Sequence, residues 1–121
     1  MIRSALVHTA FILSSTLLAM ACITSADARY MAELDAIVKE HATEQQAAER
    51  LRLKFEVYER GTPSWDSLQA FLRREPADSF AKLREAVGKY PRILYHTTEW
   101  RMTWLFVDEQ GRVRDYLLSS Q

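Results

Sequence analysis

The sequence predicts an α+β fold with the order helix-strand-helix-helix-strand-strand-strand: two helices packed on a mostly antiparallel sheet, preceded by a long N-terminal helix. Three observations predict it. Apolar residues recur at three- and four-residue spacing before residue 50 and again between residues 63 and 90. The period changes to two at residue 50. After Pro91, aromatic and branched residues run to a glycine-bearing turn and back again. These are the helical and strand periodicities. A length of 121 residues suits one folded domain. The expected division is a signal peptide over 1–28, an N-terminal helix over 29–49 and a small α+β domain over 50–121.

The first segment reads as an export signal. Arg3 is the only charge before Asp27, and Ala5 to Ala21 between them is largely apolar. A positive start, an apolar stretch and a small-residue end form the secretory pattern. The stretch is shorter than the ~20 apolar residues that a membrane span needs. Ala26-Asp27-Ala28 offers a cleavage site that leaves Arg29 first, and Ala19-Met20-Ala21 before Cys22 offers a second. The second resembles a bacterial lipoprotein signal and makes Cys22 a candidate lipidation site. Acyl chains there would tether the domain to a membrane.

The helix at 30–49 places Met31, Leu34, Val38 and Ala42 on one stripe, with no Gly or Pro to interrupt it. Arg50-Leu51-Arg52-Leu53-Lys54-Phe55-Glu56-Val57 then alternates, which predicts a strand with Leu51, Leu53, Phe55 and Val57 on its buried face. Gly61-Thr62-Pro63 starts a helix, with Thr62 as cap and Pro63 in its first turn. Leu68, Phe71 and Leu72 form its apolar face, and Glu75-Pro76 ends it. Asp78 is the expected cap of a further helix carrying Phe80, Leu83, Val87 and Tyr90, with Gly88 and Pro91 marking its end.

Strands follow at Ile93–Thr98, Glu99–Val107 and Arg112–Leu118. The last two are joined by a turn at Asp108-Glu109-Gln110-Gly111, where Gly111 takes positive φ. A three-residue loop pairing Asp108 with Arg112 sets Trp104 opposite Tyr116 and Met102 opposite Leu118. The aromatic face then meets the middle helices. The opposite face, with Leu105, Val107 and Leu117, is covered either by the first helix or by a partner.

Composition narrows function. Lys plus Arg equals Asp plus Glu at 16 each, so the chain lacks the basic footprint of a nucleic-acid binder. The single cysteine permits no internal disulfide. No metal-ligand spacing or nucleophile elbow occurs and no cysteine nucleophile remains after Cys22, so no cofactor, catalytic or metal residues are assigned. His41 and His96 stand apart in sequence, and Glu56, Glu59, Asp66, Glu99, Asp108 and Glu109 read as solvated acids. The candidate partner surface comprises Trp65, Trp100, Arg101, Leu105, Val107, Arg112 and Leu117, with Arg92 and Arg114 beside it. Aromatic and arginine side chains dominate protein interfaces.

Gly61-Thr62-Pro63 with Leu68 and Leu72, followed by the late hairpin Trp104-Leu105-Phe106-Val107-Asp108-Glu109-Gln110-Gly111-Arg112-Val113, resembles the BamE-like (SmpA/OmlA) group of small outer-membrane lipoproteins over about residues 61–118. The resemblance implies a helix-helix-sheet core and an accessory role in envelope assembly. The chain departs from that group at Arg73-Arg74-Glu75-Pro76, where a glycine usually ends the first short helix. The expectation is an exported, non-enzymatic binding or scaffold module of the envelope, in the periplasm or membrane-anchored through a lipid. Its partner is another envelope protein, with a homodimer left open. The alternative is a small inhibitor or immunity protein against an envelope hydrolase.

Overall fold

The computed structural model describes residues 14–120. The expected signal peptide begins outside the described residues, and the candidate lipidation at Cys22 concerns a side chain outside them. The chain divides into two units, Met1–Glu33 and Leu34–Gln121. The first is helical where described, with Ala26 to Arg29 exposed. Among the described residues no helix is long and apolar enough to cross a membrane.

The predicted class is the one observed. Helices α1 (Ser14–Lys39) and α2 (Glu44–Leu51) precede strand β1 (Glu56–Glu59). Helices α3 (Pro63–Arg74) and α4 (Ala81–Lys89) then lead to β2 (Arg92–Thr97), β3 (Arg101–Val107) and β4 (Val113–Ser120). The four strands form one antiparallel sheet in the order β1-β2-β3-β4.

The expected single helix over 30–49 is two helices. His41 takes φ 52° and ends α1. The amide of Ala42 bonds the Ile37 carbonyl at 3.0 Å and that of His41 bonds Val38 at 3.1 Å. This is a Schellman stop, which normally uses glycine at the left-handed position. Thr43 restarts the chain with a full capping box: its hydroxyl accepts from the Gln46 amide at 3.1 Å, and the Gln46 side chain accepts from the Thr43 amide at 2.9 Å. A second stop of the same kind falls at Arg52, φ 57°, with Leu53 N–H bonded to Ala48.

The expected strand over 50–57 is therefore mostly absent. Residues 50 and 51 are helical, Arg52 is left-handed, and pairing starts at Glu56. Leu51, Leu53 and Phe55 are half-buried and Val57 is exposed. Asp78 does not cap α4; Phe80, in left-handed geometry, occupies that position. Helix α3 begins and ends where expected, although the Thr62 hydroxyl donates to Glu59 O rather than capping.

Core residues fill both sides of the sheet. On one face Ile93, Trp104 and Phe106 pack with Trp65, Leu68 and Leu72 of α3 and Leu83 and Ala86 of α4. On the other, Leu94, Leu105, Val107, Val113 and Thr103 are buried, as are Leu34, Ile37, Ala42 and Ala47. Polar links join the two sets. Tyr116 donates to Asp35 at 2.8 Å, Arg92 donates to both Glu44 oxygens at 2.7 and 2.8 Å, and Val113 N–H bonds Ala42 O at 2.8 Å. The end of α1 and all of α2 thus form the cover over the second face.

The β3–β4 turn is as expected: Asp108 N–H bonds Arg112 O at 2.9 Å and Gly111 has φ 79°. A register shift at Phe106/Val107 moves the rest of the pairing by one residue. Trp104 faces Leu117, and Met102 faces Ser119, instead of Tyr116 and Leu118. The bulged residue inverts the faces of everything after it, because side chains alternate with period two.

Candidate interaction surface

The structure disperses the residues that the sequence grouped. Trp65 (4% exposed), Leu105 and Val107 (both 0%) are core, so they offer nothing to a partner. Trp65 lies inward because the first turn of α3 is aimed at the sheet, with the Arg60 guanidinium 5.6 Å from its ring centre. Leu117 is half-buried beside the α3–α4 core. Trp100 and Arg112 are exposed, and Arg101, like Leu117, is half-buried. Trp100 and Arg101 sit at one end of β3 and Arg112 beyond the other, about 20 Å apart at ~3.3 Å per strand residue.

At the Arg112 end, charge is consumed internally. The Asp108 carboxylate accepts from Arg112 N–H at 3.0 Å, Gln110 N–H at 2.9 Å and the Arg114 guanidinium at 3.3 Å. The Arg112 amide, foremost, holds that carboxyl below its ordinary range. Arg112 donates to the His41 carbonyl at 3.3 Å. Arg92 is clamped between Glu44 and Glu59, and the Glu44 hydrogen bond, before any other cause, raises its pKa. A polar hollow of about 630 Å³ lies here, with Lys89, Tyr90, Glu109, Gln110, Arg114 and Asp115 among its lining.

The other end is built differently. The β2–β3 turn has only Glu99 and Trp100 between Thr98 and Arg101, and neither takes positive φ. Two-residue hairpins ordinarily use primed turns with Gly or Asn. Here the Thr98 side chain supplies the constraint. Its hydroxyl accepts from the Trp100 and Arg101 amides, each at 3.2 Å, while Thr98 N–H bonds Arg101 O at 2.9 Å. Trp100 is 75% exposed, the most open large apolar side chain among the described residues. Nearby, His96 Nδ1 lies 3.2 Å from Lys54 O and its ring meets Phe55 edge-on at 6.1 Å.

His41 and His96 are not brought together: His41 lies beside Arg112 and His96 toward the opposite end of the sheet. Among the described residues no group of three His, Cys, Asp or Glu could hold a metal ion. The acids flanking the two β-rich turns are likewise separated, Glu99 at one end and Asp108 and Glu109 at the other. Sequence reasoning missed the Thr98 staple, the Glu44–Arg92–Glu59 clamp and the Tyr116–Asp35 bond. Thr98 lies two residues before Trp100 and is a local side-chain-to-backbone signal. The other two join residues far apart in sequence and leave no local trace. No family model, curated protein or solved structure significantly matches the chain.

Proposed function

We propose that this chain is an exported, non-enzymatic binding module of the cell envelope, engaging another envelope protein through the β2–β3 hairpin. The observation that carries this reading is Trp100, held out on a turn fixed by Thr98. A tryptophan on a fixed turn supplies a large apolar contact, and its two side-chain torsions cost little freedom on binding. Export rests on the sequence pattern of residues 1–28, with Cys22 as the candidate anchor. The inhibitor reading uses the same hairpin and differs only in the partner.

The test places a photo-crosslinking residue at position 100, and at exposed Ser67 on α3 as control, in the full chain expressed in cells. The expected result is one discrete protein adduct from position 100 and none from 67. Equal adducts at both sites, or none, would sink the proposal. Trp100→Ala should abolish the association and shift folding stability by less than ~0.5 kcal/mol, the usual range for an exposed site. Intact mass of the cellular protein checks export: Arg29 first, or an acylated Cys22 first, supports it, and an unprocessed cytosolic chain refutes it.

A further inference from the structure

We infer that the outer edge of β4 pairs with the same edge of a second copy, antiparallel about Leu118. This goes beyond the hairpin reading and does not depend on Trp100. The argument starts from which amides of β4 turn away from β3. Thr98 N–H bonds Arg101 O, so Arg101 directs its backbone groups toward β2, and Met102 by alternation directs its own toward β4. Met102 opposes Ser119 and Trp104 opposes Leu117, so Ser119 and Leu117 bond inward. Tyr116, Leu118 and Ser120 therefore face outward. Two contacts check this parity. Tyr116 N–H bonds the Asp115 carboxylate at 2.8 Å instead of β3, and before the bulge Val113 N–H bonds Ala42 O.

The edge is guarded for only half its length. Its start is covered by the α1–α2 connection, where Thr43 bridges Arg112. Its middle is guarded by Asp115, which caps Tyr116 N–H and pairs with Lys82 at 3.1 Å; the Lys82 ammonium also sits 5.5 Å from the Tyr116 ring centre. Past that point, Leu117-Leu118-Ser119-Ser120 carries no charge, proline or bulge. Sheet proteins blunt exposed edges with those features. The opposite edge, β1, is blunted: it has four residues and ends in Glu56 and Glu59.

A second copy fits because the outward groups of Tyr116, Leu118 and Ser120 are self-complementary. A two-fold axis at Leu118 lets each Leu118 bond the other through N–H and C=O. It also lets Ser120 N–H reach the partner's Tyr116 C=O, and the reverse. The capped Tyr116 N–H then meets Ser120 C=O, which already accepts from the Ser119 hydroxyl at 3.5 Å. Among the described residues no like charges oppose one another across the axis. Such an interface is isologous and closed. Only Tyr116 to Ser120 of each copy pair, so the dimer is weak and concentration-dependent.

The test is disulfide trapping in the full chain with Cys22→Ser. Across the axis the two Leu118 Cα atoms fall about 5.5 Å apart, within disulfide range, whereas Ser119 Cα atoms fall about 8 Å apart, outside it. Leu118→Cys should form a covalent dimer on mild oxidation and Ser119→Cys should not. Ser120→Pro, at an exposed position whose N–H is outside the β3 ladder, should weaken self-association on the order of thirtyfold by sedimentation equilibrium, with unchanged circular dichroism. Equal trapping at 118 and 119, no trapping at 118, or a monomer at every concentration would each overturn the inference. Trapping at 118 with Trp100→Ala present would leave it standing even if the hairpin proposal fails.

Discussion

Leu105 and Tyr116 are register partners on β3 and β4 and show what single side chains contribute. Leu105 is fully buried on the central part of the sheet. Leu105→Ala should therefore cost about 3 kcal/mol, from lost transfer energy plus the cavity left behind. Urea unfolding checks this: the midpoint should fall while the slope stays constant. Tyr116 carries a polar signature. Burial first, then its hydrogen bond to Asp35, push its hydroxyl up to about 12 from an ordinary 10.0. The folded state thus holds this proton more tightly than the unfolded chain. The associated stability is fully present below pH 10 and is lost as pH rises toward 12. Tyr116→Phe should remove that part of the alkaline loss, seen by comparing unfolding at pH 9 and pH 11.5. The chemistry of each residue was legible from its type. Its burial was not, since Leu105 reads the same on a partner surface as in a core.

At the scale of elements, the break between α1 and α2 is the informative one. The capping box of Thr43 and Gln46 starts α2, and Thr43→Ala should cost about 1 kcal/mol of folding stability in chemical denaturation. An unchanged stability would mean that the bridge between Thr43 and Arg112 carries the junction alone. Thr43 with Gln46 is a readable start signal. The stops at His41 and Arg52 were hidden, because each places a non-glycine residue in left-handed geometry. That costs roughly 1–2 kcal/mol and is adopted only where packing outweighs it. Here Ile37 and Ala47 are buried on either side of the break and Ala42 within it. The alternation over 50–57 was a true period of two, yet only its last part is strand. The helix C-terminus and the pairing partner β2 fixed where it begins.

In the unit Leu34–Gln121 the sheet lies between two helical layers, α3 with α4 on one side and the α1–α2 cover on the other. Strand β3 is central in the second sense too, bonded to β2 and β4 along its length, and Thr103 to Val107 are all buried. Hydrogen exchange should find the β3 amides slowest and those of β1 fastest among the strands, because local opening follows burial and pairing. Slow exchange in β1 would contradict the layer arrangement. The cover also accounts for the scattered candidate surface: Leu105 and Val107 meet the chain's own helices, not another protein.

The sequence by itself determined the α+β class, both middle helices with the Thr62-Pro63 start and the Glu75-Pro76 end, and the Asp108–Gly111 turn. It did so because periodicity, proline and glycine act over a few residues. It also singled out Trp100, although not the Thr98 staple that displays it. Only the tertiary structure decided the β4 register, the cover of the second face and the open edge beyond Tyr116. Each depends on a long-range event: a bulge that inverts side-chain faces, and ion pairs and hydrogen bonds such as Glu44–Arg92 and Asp35–Tyr116 that join residues dozens of positions apart. Local propensity carries no record of such partners, because the free energy that selects them arises only once both surfaces leave water together.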